Sequence, residues 1–175
     1  IRGDVVVTNC VEAELAAAVT AGGLVAFSGS CNLTLTAPIN IAADTILDGN
    51  GQTVTVSGGN SNRIFNVASG INLTIRGLTL SNGTSTNGGA LFIASGATVL
   101  LTNCTFSSNR AIGSNGLAGA NGATNTSIAP GGGNGGAGTT VRGGAIYNLG
   151  ALTLRNCSLL SNTAVGGSGG NGGNG

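Results

Sequence analysis

The chain has 175 residues and a formal net charge of +1, with charged residues making up 6% and hydrophobic residues 41%. So few charges with so much apolar material exclude an ordinary disordered chain. There is no Lys, and the arginines (Arg2, Arg63, Arg76, Arg110, Arg142 and Arg155) are scattered, which excludes a phosphate-tracking stripe and hence nucleic acid as a partner. Gly contributes 34 residues, but there is no collagen triplet and only two Pro, so a collagen triple helix is excluded.

Val5–Val7 reads as a first strand, and Glu12–Val19 as one short helix ended by Gly22-Gly23. Its Ala and Leu content suits a lid over the end of a sheet stack. From Leu24 the apolar period becomes two. Strands are expected at Leu24–Phe27, Asn32–Thr36, Ile39–Ile41, Thr45–Leu47, Gln52–Val56, Ile64–Val67, Asn72–Ile75 and Leu78–Leu80. Further strands are expected at Ala90–Ile93, Thr98–Leu101, Thr105–Phe106, Ala145–Tyr147, Ala151–Leu154 and Ser158–Leu160. No apolar run is long enough to span a membrane as a helix.

These strands repeat. LTIRGLTLSN begins at Leu73, VLLTNCTFSSN at Val99 and LTLRNCSLLSN at Leu152, each preceded by an apolar pair: Ile64-Phe65, Leu91-Phe92 and Ile146-Tyr147. Three strands per unit make one coil of a parallel β-helix. Stacked coils give inward columns Thr45/Leu47, Leu73/Ile75, Val99/Leu101 and Leu152/Leu154, and then Leu78/Leu80, Cys104/Phe106 and Cys157/Leu159. A slip of one residue would turn these columns to water. The outward positions are Thr74, Thr79, Leu100, Thr105, Thr153 and Ser158.

The expected class is all-β, a right-handed single-stranded parallel β-helix with a short N-terminal capping helix. It forms one domain: a strand and helix cap over 1–23, coils over 24–110, a Gly/Asn-rich insert over 111–142, a further coil over 143–162 and a Gly-rich tail over 163–175. The insert leaves the stack at one corner and either remains flexible or lies over a neighbouring subunit. Asn82, Asn103, Asn109, Asn156 and Asn162 recur at corners, where Asn tolerates left-handed geometry. The start Ile1-Arg2-Gly3-Asp4 fits a processed or a trimmed terminus, and the end inside a Gly run fits a longer parent chain or a tail that loses order.

The paired glycines of GGALF and GGAIY, the Asn-Cys-Thr/Ser turns at Asn103–Thr105 and Asn156–Ser158, and the SSN and LSN endings resemble the pectin-lyase-like parallel β-helix proteins. They look most like bacterial surface proteins of the polymorphic outer-membrane-protein type. The resemblance covers essentially the whole chain and is specific for fold more than for function, since this fold hosts lyases, hydrolases, adhesins and spacers.

Catalytic members of that superfamily are expected to use clustered acids, with calcium or with an Arg or Lys base. The acids here are Asp4, Glu12, Glu14, Asp44 and Asp48, and only Asp44 and Asp48 could pair near a strand face. Two carboxylates are a thin start for calcium, so no catalytic, metal or cofactor residue is assigned. Asp48 falls one coil from Arg76 in an outward column, which suits a surface ion pair. The absence of His excludes His triads and His metal sites. Cys10 and Cys31, 21 residues apart, are expected to form a disulfide tying the cap to the first coil. Cys104 and Cys157 are expected to be stacked, buried thiols, too far apart for an unstrained bridge. Of six Asn-x-Ser/Thr acceptors, Asn125 in the insert is the most accessible candidate for glycosylation.

The function read from this sequence is an extracellular structural or adhesive module, secreted or at the cell surface and not an enzyme. Its expected partners are itself, by end-to-end stacking, or a host or matrix surface component. Alternatives are a subunit of a self-assembling filament, a carbohydrate-active enzyme, or an ice-binding protein. The last needs a Thr array, hinted at by Thr34/Thr36 and Thr53/Thr55 and not kept in later coils.

Overall fold

Short runs alternating a branched apolar residue with Thr, Ser or Asn favour a pleated strand with one dry and one wet face. The computed structural model describes residues 4–122 and 131–174. In chain order it contains β1 (Val5–Val7), α1 (Glu12–Ala21), β2 (Gly23–Phe27), β3 (Cys31–Thr34), β4 (Ile39–Ile41), β5 (Thr45–Asp48) and β6 (Val54–Ser57). There follow β7 (Phe65–Val67), β8 (Asn72–Arg76), β9 (Leu78–Ser81), β10 (Thr84–Ser85), β11 (Leu91–Ile93), β12 (Thr98–Thr102), β13 (Thr105–Ser107) and β14 (Arg110–Ile112). The last coil holds β15 (Ile146–Asn148), β16 (Ala151–Arg155), β17 (Ser158–Leu160) and β18 (Thr163–Val165).

All strand pairs are parallel, and each joins a strand to its equivalent one coil away. Three sheets run the length of the stack: β1-β2-β5-β8-β12-β16, β3-β6-β9-β13-β17 and β4-β7-β11-β15. The result is a right-handed parallel β-solenoid, the hand that such crossovers take. The register matches the inward columns read from the sequence. Thr45, Leu73, Val99 and Leu152 align, as do Leu47, Ile75, Leu101 and Leu154. Leu80, Phe106 and Leu159 stack in the second sheet. The lumen is dry, with Phe27, Phe65, Phe106, Leu47, Ile75 and Leu101 at most 1% exposed. Each such side chain contributes about 1.5–3 kcal/mol of hydrophobic stabilisation.

A fourth sheet, β10-β14-β18, departs from the sequence reading. It lies in what reads as a loose loop, because its strands offer so little inward apolar bulk; the fully buried residue of β14 is Ala111. The last three coils therefore have four strands, and Thr163–Val165 belongs to the stack and not to the tail.

The corners divide the asparagines into two kinds. Asn82, Asn103 and Asn156 adopt φ of 51°, 53° and 50°, the left-handed geometry expected. In the two later coils Ser108 and Ser161 stand where Asn82 does and take φ of 56° and 53°, while Asn109 and Asn162, one residue on, turn inward as a ladder. Asn109 Oδ1 accepts from Gly83 N–H at 2.8 Å, and its Nδ2 donates to Leu80 O at 3.0 Å. Asn162 Oδ1 accepts from Asn109 N–H and Nδ2, and its own Nδ2 donates to Phe106 O. A buried amide thus meets its hydrogen-bonding needs by repeating once per coil.

At the N-terminal end, α1 lies against β1, β2 and β4 and buries Leu15, Ala18 and Val19. Two carboxylates pin it. Glu12 accepts from Thr36 N–H, Thr36 Oγ1 and Ala37 N–H, and Glu14 from Thr8 N–H, Thr8 Oγ1 and Asn9 N–H. A disulfide joins Cys10, just before α1, to Cys31 in β3, with Cα atoms 5.4 Å apart.

Candidate functional site

The acidic residues with any claim to chemistry are held apart by separate duties. Asp44 Oδ1 accepts from Asn72 N–H at 2.8 Å, bracing one coil on the next. Asp48 Oδ1 accepts from Asn50 N–H at 2.8 Å, and its Oδ2 lies 3.6 Å from Arg76 Nη1. That ion pair is the one the sequence suggests; with side chains 29% and 49% exposed it is worth about 0–1 kcal/mol. A shallow depression runs over Leu24, Asp44, Ile46, Asn72 and Thr74, and a single carboxylate borders it. No group of three or more metal-ligating side chains occurs among the described residues.

Arg63, which the sequence presents as one of several scattered cations, is a corner clamp. Its Nε donates to Gly88 O, Nη1 to Asn66 Oδ1, and Nη2 to Ser85 Oγ and Asn87 O. The guanidinium lies 5.3 Å from the Phe92 ring centre, and burial lowers its pKa. The ring of Tyr147, one coil on, is 5.8 Å from that of Phe92. With its donors spent on the chain itself, Arg63 braces β7 against β10 and β11.

Cys104 and Cys157 are free thiols. Cys104 is buried and donates to backbone oxygens of Ile75 and Thr102; desolvation raises its pKa. Cys157 lies in the last coil and is only half-buried, against the expectation that both would be buried. Asn125 lies outside the described residues. Thr79, Thr105 and Ser158 form an outward column with Thr55, at the outward positions read from the sequence, while the paired Thr of Thr34/Thr36 and Thr53/Thr55 is not repeated in the later coils. Its neighbour column contains Ser57 and Ser81, both buried, so the hydroxyl row is one residue wide.

The largest departure from expectation lies at the corner where the insert and tail leave the stack. Neither is loose. Residues 113–122 run outward, 131–139 return antiparallel to them, and 166–174 run outward again beside both. Gly113, Gly116, Gly119 and Gly122 donate N–H to Val165, Ser168, Asn171 and Asn174 O at 2.7–2.9 Å. Gly133, Gly136 and Thr139 donate to Ala120, Leu117 and Ser114 O, and Gly167, Gly170 and Gly173 donate to Thr139, Gly136 and Gly133 O. Every third residue is used, the period of a polyproline-II helix. First segment to third, third to second and second to first, the donors close a triangle. A Cβ added at Gly116, Gly135, Gly138, Gly167, Gly170 or Gly173 would fall inside contact with a facing backbone oxygen. Contrary to the sequence reading, a glycine triplet is thus present locally, in a bundle of three segments within one chain.

The two ends of the stack also differ. Leu154 is 44% exposed and Leu159 51%, whereas Leu101 and Phe106, one coil earlier in the same columns, are fully buried. Leu160 and Val165 are exposed beside them. At the opposite end, α1 shows solvent Ala13, Ala17, Thr20 and Ala21, a face without charge. No helix among the described residues is long and apolar enough to cross a membrane. Comparison of the chain with protein-family models, curated proteins and solved structures finds no match in any of the three. The likeness to β-helix families therefore rests on architecture: a repeating parallel solenoid with one capping helix.

Proposed function

We propose that the chain is an extracellular structural module, secreted or surface-borne: a rigid rod that carries a glycine-rich bundle at one corner and has no catalytic role. The observation that carries this reading is where the hydrogen-bonding side chains are spent. Asp44, Asp48, Glu12, Glu14, Arg63, Asn109 and Asn162 all brace the chain's own backbone or side chains. Convergent carboxylates, which glycoside cleavage requires, are not what this surface offers. The Cys10–Cys31 disulfide supports an oxidising compartment. The bundle supports an adhesive role, since its outer positions present Asn, Ser and backbone groups to a partner.

Two measurements test the proposal. Protein recovered from the cell exterior without reductant is expected to resist thiol labelling at Cys10 and Cys31 and to label at Cys157. Incubation with polygalacturonate and neutral plant or bacterial glycans, with and without calcium, is expected to yield neither unsaturated products nor new reducing ends. Turnover that survives repurification would overturn the non-catalytic reading.

A further inference from the structure

We infer that Asn134, in the returning segment of the glycine bundle, is a site of spontaneous covalent modification. Its side-chain amide closes on the Gly135 nitrogen to an imide, which opens to aspartate and isoaspartate. The inference goes beyond the structural reading and does not depend on it. The sequence contains eight Asn-Gly pairs, the step at which no side chain shields the backbone nitrogen. The Gly nitrogen gives up its proton and attacks Cγ of the preceding Asn. A C–N bond forms, the side-chain nitrogen leaves as ammonia, and a five-membered imide results. Water then adds to one of the two imide carbonyls, and the C–N bond that breaks decides the product. One route restores the backbone and leaves aspartate; the other runs the chain through the side-chain carbon as isoaspartate. Water is the sole co-reactant, and no oxidant or reductant takes part.

Seven of the pairs lie wholly within the described residues, and the fold sorts them by whether the nucleophile is held. A nitrogen that donates a hydrogen bond cannot swing toward the Asn side chain until that bond opens. Gly83 N–H donates to Asn109 Oδ1 at 2.8 Å, and Gly88 N–H to Arg142 O and Gly143 O at 2.9 Å, which guards Asn82 and Asn87. Gly116 and Gly122 N–H donate to Ser168 O and Asn174 O, which guards Asn115 and Asn121. After Asn50, Asn134 and Asn171 the following amide has no acceptor among the described residues.

Two of those three are restrained in another way. Asn50 Nδ2 donates to Phe27 O at 3.3 Å, which ties the reacting amide to the neighbouring coil. Asn171 O accepts from Gly119 N–H, which pins the other edge of the peptide that must turn. Asn134 has neither restraint. It is exposed, and the peptide joining it to Gly135 neither donates nor accepts among the described residues. Its neighbours are the reverse: Gly133 and Gly136 each donate to the first segment and accept from the third. Asn134 is thus an unheld peptide between two held ones.

That position gives the reaction a consequence. Isoaspartate inserts one backbone carbon between Gly133 and Gly136, so the spacing of three that sets their N–H groups against Ala120 O and Leu117 O is lost. The bundle has no slack to absorb it, since even a Cβ at Gly135 would collide with Gly170 O. The modification therefore releases the bundle with time, irreversibly, while the ladders of the solenoid stay closed.

The test holds the full chain warm at mildly alkaline pH and reads aspartate and isoaspartate at each Asn-Gly pair by peptide mapping and mass spectrometry. Asn134 is expected to react fastest, and Asn82, Asn87, Asn115 and Asn121 on the order of tenfold more slowly, because a hydrogen bond must open first. In Gly170→Ala, whose added Cβ collides with Leu117 O, Asn115 and Asn121 are expected to rise to the rate of Asn134 while Asn82 and Asn87 stay slow. Circular dichroism establishes that the solenoid of this variant folds. Amide protection at Gly133 and Gly136 is expected to decay in step with isoaspartate in the unaltered chain. It is expected to persist in Asn134→Gln, whose longer side chain closes a six-membered imide far more slowly. The inference is overturned if Asn134 stays intact, or if Asn115 or Asn121 keeps pace with it in the unaltered chain. It is overturned equally if both stay slow in Gly170→Ala, or if Asn134→Gln loses protection as fast as the unaltered chain.

Discussion

The coil stack and the glycine bundle solve the same problem, satisfying a backbone, by opposite means. In the stack, strands are held by ladders whose inner faces bury Leu, Ile, Val and Phe, so order is set by side chains and the period is two. In the bundle, backbone takes the place of a side-chain core. The segments approach until backbone oxygens fill the axis, and the period is three. A net hydrogen bond contributes about 0.5–1.5 kcal/mol, while ordering one residue costs about 1–2 kcal/mol, and most for Gly. Ten such bonds therefore do not hold the bundle unaided. The stack roots it, through β14 and β18 and the Asn87–Arg142 bridge. The lesson is that one chain uses large residues where volume must be filled and glycine where it must be vacated.

The comparison breaks most visibly where volume is removed from the stack. Phe106→Ala empties a fully buried site in the middle of a column and is expected to cost about 3–5 kcal/mol of global stability. Leu159→Ala, in the same column one coil later and 51% exposed, is expected to cost far less. Denaturant titration of both variants reads the difference. Equal losses would mean that the last coil is packed against something in solution.

The bundle reverses the sign of the argument, because there one added carbon is the insult. A Cβ at Gly170 collides with the backbone oxygen of Leu117, while at Gly169 the nearest atom, Gly136 O, is 3.8 Å away. Gly170→Ala is expected to abolish amide protection across 113–122, 133–139 and 167–173 while the solenoid melts as before. Gly169→Ala is expected to leave protection intact or to add about 0.4–1 kcal/mol locally by restricting the unfolded chain. Hydrogen exchange by segment decides, and equal sensitivity at the two neighbours would refute the triangular arrangement.

What the sequence discloses follows from this division. Alternation fixes Leu73/Ile75 against Val99/Leu101, and through them the coil length, because misplacing either turns apolar residues to water. The Asp48–Arg76 pair follows from the same register, and the helix lid from its Ala and Leu content and the Gly22-Gly23 stop. β10, β14 and β18 escape because a strand whose inward residue is only Ala111 carries no hydrophobic signature. The bundle escapes for another reason. Its spacing of three is visible at Gly113, Gly116, Gly119 and Gly122, yet the partners of the last three lie far along the chain at Ser168, Asn171 and Asn174, and glycine runs ordinarily signal flexibility. The inward asparagines differ from the turn asparagines only in being preceded by a left-handed serine, a distinction set by the fold.

The smallest expected effect separates the lid from the stack by pH. Hydrogen bonds from Thr36 Oγ1 and N–H, then Ala37 N–H, hold the Glu12 carboxyl below its ordinary range, and those from Thr8 and Asn9 N–H do the same for Glu14. Both pKa values are depressed on folding, so the linked stabilisation is complete above the unfolded value and is lost as pH falls through the folded one. The window therefore opens near pH ~4.5 and extends below it. Protonated, Glu12 and Glu14 cease to be full acceptors for the loops they clamp, and α1 loosens about the Cys10–Cys31 tether while the apolar columns stay closed. Protection of the Leu15 and Val19 amides is expected to fall as pH drops through that window, with that of core positions such as Ile75 and Leu101 unchanged. Glu12→Gln is expected to reproduce part of the loss at neutral pH, because an amide accepts more weakly than a carboxylate. Lid protection that is flat across this range would show that the buried face of α1, and not its two carboxylates, fixes it to the stack.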